Sequence, residues 1–170
     1  MARFRTKARA VDMLGRQQIA DASTAINELF KNAHDAYADH VEVDFFGSDS
    51  LLVIRDDGVG MSREEFESKW LVLGTDSKVR SPQSTEFRPA DKPERAIMGE
   101  KGIGRLAIAF LGPQVLVLTR SAREGHRGDL VMCYVHWGLF EQPSVNLEDI
   151  EMGIIYESDE AGHRKGRAKV

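Results

Sequence analysis

Leu51-Leu-Val-Ile-Arg-Asp-Asp-Gly-Val-Gly-Met61 is the stretch from which the fold can be read. Leu51 to Ile54 are apolar and read as a short buried strand. The strand ends on two carboxylates, Asp56 and Asp57, followed by Gly58 and Gly60 at alternate positions. Without a Cβ, those glycines can adopt positive φ and let a ligand lie against the main chain, while Asp56 or Asp57 offers an acceptor-only group. Asp-Gly is also the commonest β-turn signal, so the stretch takes a functional meaning only from its neighbours.

Upstream, Val41-Glu-Val-Asp-Phe-Phe46 alternates as a strand does, and Gly47 to Ser50 is a turn, so the two strands form a hairpin. Before it, residues 24–37 carry Ile26, Leu29, Phe30, Ala33 and Tyr37 at three- and four-residue spacing, which predicts an amphipathic helix. On the same helix Glu28, Asn32 and Asp35 stand at i, i+4 and i+7, within roughly 60° of one another. A polar stripe of this kind is also the ordinary solvated face of a helix. Residues 10–20 are weakly helical, with Val11, Leu14 and Ile19 as candidate contacts.

Downstream, Ser62-Arg-Glu-Glu65 is a capping-box pattern opening a short helix through about Leu71. From Gly74 to Met98 apolar periodicity is lost, and three of the five prolines fall there (Pro82, Pro89, Pro93). A segment of this length without periodicity predicts a mobile flap. It closes on Gly99-Glu-Lys-Gly-Ile-Gly104, then Arg105 to Leu111, an apolar run free of helix breakers and ended by Gly112-Pro113. A glycine-rich turn feeding a helix N-terminus presents unpaired N–H groups suited to phosphate oxygens, although such turns are often merely flexible. Residues 114–120 and 130–135 read as strands, and 150–156 as a further one.

The composition narrows the classes. The chain has 170 residues, 42% of them hydrophobic, which suits one core and predicts one soluble domain. A formal charge of −4, from 23 basic and 27 acidic residues, provides no general attraction to nucleic acid or membrane. Only His163-Arg-Lys-Gly-Arg-Ala-Lys169 is locally basic, as a solvated tail or the cut edge of a longer protein is. The single cysteine, Cys133, excludes an internal disulfide and fits a reducing, cytoplasmic setting. No apolar run is long enough to span a bilayer, and the N-terminal residues lack the core of a secretion signal.

Four pieces thus occur in fixed order: Glu-x-x-x-Asn-x-x-Asp on a helix, Asp-x-Gly-x-Gly after a strand, a polar flap closed by Gly-x-x-Gly-x-Gly, and a strand bearing Thr119. From about Ala20 to Arg120 this set resembles the GHKL ATPase superfamily, which includes DNA gyrase, the large heat-shock chaperones, MutL, MORC proteins and histidine kinases. Glu28 to Ala36 matches the first box, Asp56 to Met61 the second and Gly99 to Gly104 the third. Gly74-Thr-Asp-Ser-Lys78 looks like the start of the family's lid.

The resemblance implies an α+β two-layer sandwich, the Bergerat fold, with a mixed, mostly antiparallel sheet covered on one face by helices. It implies Mg²⁺-dependent binding and slow hydrolysis of ATP. Asp56 would accept from the adenine amino group with help from Thr119 through water, and Gly58, Gly60 and Met61 would form the base pocket. Asn32 would ligate Mg²⁺, and Asp35 would orient neighbouring groups or line the wall. Gly99, Gly102, Ile103 and Gly104 would cradle phosphates, with Lys78 and Lys101 as candidate point charges or plain loop lysines. Glu28 would be the catalytic residue, taking a proton from the attacking water or orienting it, which sets the hydrolytic branch apart from the histidine kinases. Closure of the flap over residues 74–98 would be coupled to nucleotide-dependent homodimerisation of a longer protein. Hydrolytic members receive a further Lys or Arg from a following domain, so the isolated piece is expected to turn over slowly. The rival readings are a nucleotide-gated switch with negligible turnover and a histidine-kinase catalytic domain. No client protein or nucleic acid is identified by these residues.

Overall fold

The computed structural model describes residues 6–17, 19–72, 88–99, 104–123 and 126–158. Helix α1 (Ala8–Gln17) is followed by helix α2 (Ala22–Asp35). The latter starts where the sequence provides a cap: Asp21 is extended, and its carboxylate accepts the Thr24 amide at 2.7 Å. It stops at Ala36 and Tyr37, the latter at φ 62°. Its apolar stripe buries Ala25 and Ala33, while Phe30, expected in the core, stays 38% exposed. Phe30 borders a surface cleft instead, because the small alanines are the residues that let α2 approach its neighbours closely.

Strands β1 (Val41–Phe46) and β2 (Leu51–Asp56) form the expected hairpin, antiparallel with Val41 opposite Asp56 and Phe46 opposite Leu51. Helix α3 (Arg63–Glu65) opens with the capping box read from the sequence, the Ser62 amide donating to Glu65 at 3.0 Å and the Glu65 amide to Ser62 Oγ at 3.3 Å. It runs on as a π-helical turn, Phe66–Trp70. The wider turn brings the Phe66 and Trp70 rings into a stack at 4.8 Å. After the glycine-rich segment, Gly104–Ala107 form a 3₁₀ turn leading into α4 (Ile108–Leu111).

Strands β3 (Gln114–Arg123), β4 (His126–His136) and β5 (Ile154–Glu157) make a second antiparallel ladder in that spatial order. The expected strand over 150–156 is shorter at its start, since Ile150 and Met152 pack against the core instead of pairing. Alternation along β4 buries Val131, Cys133 and Val135 under Ala8, Val11, Phe66, Leu106 and Ala109 from the helical side, and leaves Tyr134 half exposed on the other face. Burial pushes the Cys133 thiol up, as suits an inert core sulfur. The architecture is α+β, with helices on one face of antiparallel sheet.

The two ladders meet at the glycine turn. The Ala122 amide donates to the Val59 carbonyl at 2.9 Å, beside an irregularity in β3 between Arg120 and Ala122. Among the described residues no helix is long and apolar enough to cross a membrane.

Candidate functional site

The site is assembled around the C-terminal half of α2. The turn after β2 is fastened to it on one side, where the Val59 amide donates to the Ala36 carbonyl at 2.9 Å, and to β3 on the other. Thr119 on β3 accepts the Met61 amide on its Oγ1 at 3.0 Å. Gly60 has φ 60°, and a Cβ there would collide with the carbonyl oxygen of Arg120 and lie 2.8 Å from its carbonyl carbon. A Cβ on Gly58 would lie 2.9 Å from both the Cβ and the carbonyl oxygen of Ala36. Both glycines are therefore required by protein packing, whereas the sequence alone suggested room for a ligand.

The paired carboxylates separate in role. Asp57 accepts the Asp39 amide at 2.7 Å and the His40 amide at 2.9 Å, and these bonds hold its carboxyl below the usual range. Asp56 accepts only the Gly58 amide at 3.0 Å, so among the described residues its second oxygen has no hydrogen-bond partner. It is also exposed, which leaves it the carboxylate of the pair able to receive a ligand donor.

On α2, Glu28 is ion-paired with Lys31 at 2.6 Å and borders a cleft of about 460 Å³ shared with Thr24, Asn27, Phe30, His34 and Met98. Asn32 is partly buried, and its side chain has no hydrogen bond among the described residues; neither it nor Asp56 borders that cleft. Asp35, with its side chain 9% exposed, accepts the Met98 amide at 2.8 Å and the Gly99 amide at 3.0 Å. It thereby docks the start of the glycine-rich turn onto the helix that carries Glu28 and Asn32. The Gly99 N–H is engaged in that bond, whereas Gly104 sits at the opening of the 3₁₀ turn before α4. Lys78, Lys101, Gly102 and Ile103, with the lid-like Gly74 to Lys78, lie outside the described residues.

Asp39, Lys92 and Arg95 are structural participants that the sequence did not single out, and the structural role of Asp57, paired there with Asp56, was not told apart from that of its neighbour. Each lies in a loop without periodicity, and their partners are distant in sequence: Lys92 Nζ bonds the Asp39 carboxylate at 2.7 Å and Arg95 bonds it at 3.0 Å. Only the Asp-Asp doublet hinted at them, and it does not say which member faces inward.

A helix bearing Glu28, Asn32 and Asp35, an Asp-x-Gly-x-Gly turn fastened to it, and Met98 and Gly99 docked on Asp35 are arranged as in a GHKL-type ATPase domain. The profile of the histidine kinase-, DNA gyrase B- and HSP90-like ATPases matches residues 20–158, and the chain belongs to that family. Similar curated proteins include the chaperone protein HtpG of Mycolicibacterium vanbaalenii, 32% identical over 124 residues, covering 66% of this chain and 18% of that protein. HtpG of Shouchella clausii is 29% identical over 115 residues, covering 62% and 17%. HgiDII of Herpetosiphon aurantiacus, described as a candidate type II restriction enzyme, is 32% identical over 110 residues, covering 61% and 16%. The matched region thus spans under a fifth of each of these relatives.

Proposed function

We propose that this chain is one nucleotide-binding domain that takes up ATP with Mg²⁺, hydrolyses it slowly, and uses closure of the segment over residues 74–98 to drive conformational change or dimerisation of a larger protein. The observation that supports this most is the convergence of the Asp56 turn and the Met98–Gly99 entry on the end of α2, through Ala36 and Asp35 respectively. Two segments about forty residues apart are thereby fixed to the helix that carries Glu28 and Asn32.

In this reading the free oxygen of Asp56 accepts from the exocyclic amine of adenine. Thr119 orders the floor of the base pocket by holding the Met61 amide. Glycine-rich residues 102–104 offer their amides to phosphate oxygens, since that of Gly99 is engaged by Asp35. The donor set suits Mg²⁺. Among the described residues no cluster of three acidic, histidine or cysteine side chains could hold a metal alone, and Asn32 offers one neutral oxygen donor. An ion that keeps waters and phosphate oxygens as its other ligands needs little more from the protein. When bound, the ion supplies neutralisation of phosphate charge. Glu28 lies one helical turn before Asn32 and would take a proton from the attacking water or orient it, with Lys31 fixing its carboxylate in place.

The process served is decided elsewhere, because similar domains occur in a chaperone and in a candidate restriction enzyme. Phosphate release by the full-length protein tests the assignment. Glu28→Ala is expected to abolish hydrolysis while leaving Mg-ATP affinity within about threefold of wild type, as removal of a group acting on water and not on ground-state binding should. Turnover already at background before the substitution would favour the nucleotide-gated switch, and phosphate transfer to a partner histidine would favour the kinase reading.

A further inference from the structure

Residues 88–99 lie across the C-terminal end of α2 and are fastened there by two cations. Arg95 donates to the Ala38 carbonyl at 2.7 Å, to the Asp39 carboxylate at 3.0 Å and, more weakly, to the His34 carbonyl at 3.5 Å. Its guanidinium carbon stands 5.5 Å from the centre of the Tyr37 ring. Lys92 Nζ donates to the Tyr37 carbonyl and to the other Asp39 oxygen, both at 2.7 Å. Helix ends leave carbonyls without intrahelical partners, and the negative end of the dipole attracts cations, so this is where two basic side chains hold best.

The residue between them is under strain. Tyr37 is buried at φ 62°, a left-handed conformation that bulky side chains rarely adopt. Such a conformation persists only where its surroundings over-determine it. Here they do: the Tyr37 carbonyl is held by Lys92, its ring lies under Arg95, and its amide donates to the His34 carbonyl at 3.0 Å. Asp39 is the hub of the arrangement. Its carboxylate binds both cations, and its amide donates to Asp57, next in sequence to Asp56. From Arg95 to Met98 is three residues, a reach of about 10 Å at full extension. Anchoring Arg95 therefore confines Met98 and Gly99 to the neighbourhood of Asp35.

We propose that Asp39, with Lys92 and Arg95, is a positioning latch that holds Met98 and Gly99 on Asp35 and so sets the triphosphate half of the site without touching nucleotide. The inference rests on the ATP-binding reading above and assigns it a control point outside the matched motifs. Breaking the latch releases the entry to the glycine-rich turn. The base-binding half is spared, because Val59 remains fastened to Ala36 and β3, and Met61 to Thr119.

Asp39→Ala, Asp39→Glu and wild type are compared by two measurements: amide hydrogen exchange without nucleotide, and calorimetric affinity for Mg-ATP and for AMP. The side chain of Asp39 is half exposed, so the substitutions spare the core. In Asp39→Ala, exchange at Met98 and Gly99 is expected to rise about tenfold or more with β3 and β4 unchanged, the size expected for losing charge-assisted hydrogen bonds. Mg-ATP affinity is expected to fall about tenfold while that for AMP stays within about twofold, and Asp39→Glu is expected to recover most of both changes. Unchanged exchange at Met98 and Gly99, equal losses for Mg-ATP and AMP, or raised exchange with full Mg-ATP affinity would each overturn the latch. Failure of the wild-type chain to bind either nucleotide would instead sink the functional reading, and the exchange arm alone would then decide whether the latch positions residues 98–99.

Discussion

Gly60→Ala isolates the contact on which the site is built. At φ 60° a non-glycine residue costs about 1–2 kcal/mol in backbone strain alone. The new methyl would also strike the Arg120 carbonyl, which is backbone within β3 and cannot rotate away. Relief requires the turn to lift from β3, and lifting it breaks the Met61 amide bond to Thr119 at 3.0 Å and the Ala122 amide bond to Val59 at 2.9 Å. At about 1 kcal/mol for each bond, with the strain added, the expected loss is about 3–4 kcal/mol, a large share of a typical domain's 5–15 kcal/mol. Urea unfolding of the nucleotide-free protein, followed by the fluorescence of Trp70 and Trp137, measures it. Gly153→Ala is the control: an added Cβ there meets nothing within 4 Å, and the change is expected to shift stability by less than about 1 kcal/mol. A Gly60→Ala loss no larger than that of the control would refute the packing argument. Intact stability together with lost ATP affinity would return the glycine to the ligand-approach role that the sequence alone suggested.

Further predictions concern the neighbouring groups. Thr119→Val leaves the Met61 amide without its acceptor and is expected to cost about 1–3 kcal/mol in the same urea assay, with Thr119→Ser close to wild type. Carboxyl pKa values are depressed at Asp39 by its bonds to Lys92 and Arg95, at Asp57 by the His40 and Asp39 amides, and at Glu67 by Tyr156 and Arg63. Depressed groups contribute stability that is present above their unfolded values near 4 and lost as pH falls through the folded ones. Urea midpoints are therefore expected to decline below about pH 4, and a maximum near pH 3 would contradict the assignment. The Tyr156 hydroxyl, raised by its hydrogen bond to Glu67, acts in the opposite sense: its contribution is present below about pH 10 and lost as pH rises through the raised value.

What could be read in advance was local. The bounds of β1 follow from the alternation of Val41 to Phe46, and the capping box follows from Ser62 and Glu65, because their partners are within a few residues. The order of the motifs was legible for the same reason, and with it the family. The distant partners were not. Nothing in Asp56-Asp57 tells which carboxylate turns back to the Asp39 and His40 amides, and nothing in residues 88–99 marks Lys92 and Arg95 as bonded to the end of α2. Phe30 fits an apolar period yet borders a cleft, since periodicity gives a face and not what covers it. The apolar residues of 150–156 pointed to one strand, but burial and pairing part company at Ile150 and Met152.

In the proposed function the Asp56 turn and the end of α2 hold the base of an adenine nucleotide. The decisive measurement is calorimetric titration of Mg-ATP into the wild-type protein and into Asp56→Asn. One saturable site in the wild type, weakened at least about tenfold by the substitution, is the expected result, since asparagine has one acceptor oxygen where Asp56 uses two, one for the Gly58 amide and one for the adenine amine. Equal affinity in the two proteins, or no binding by the wild type, would contradict it.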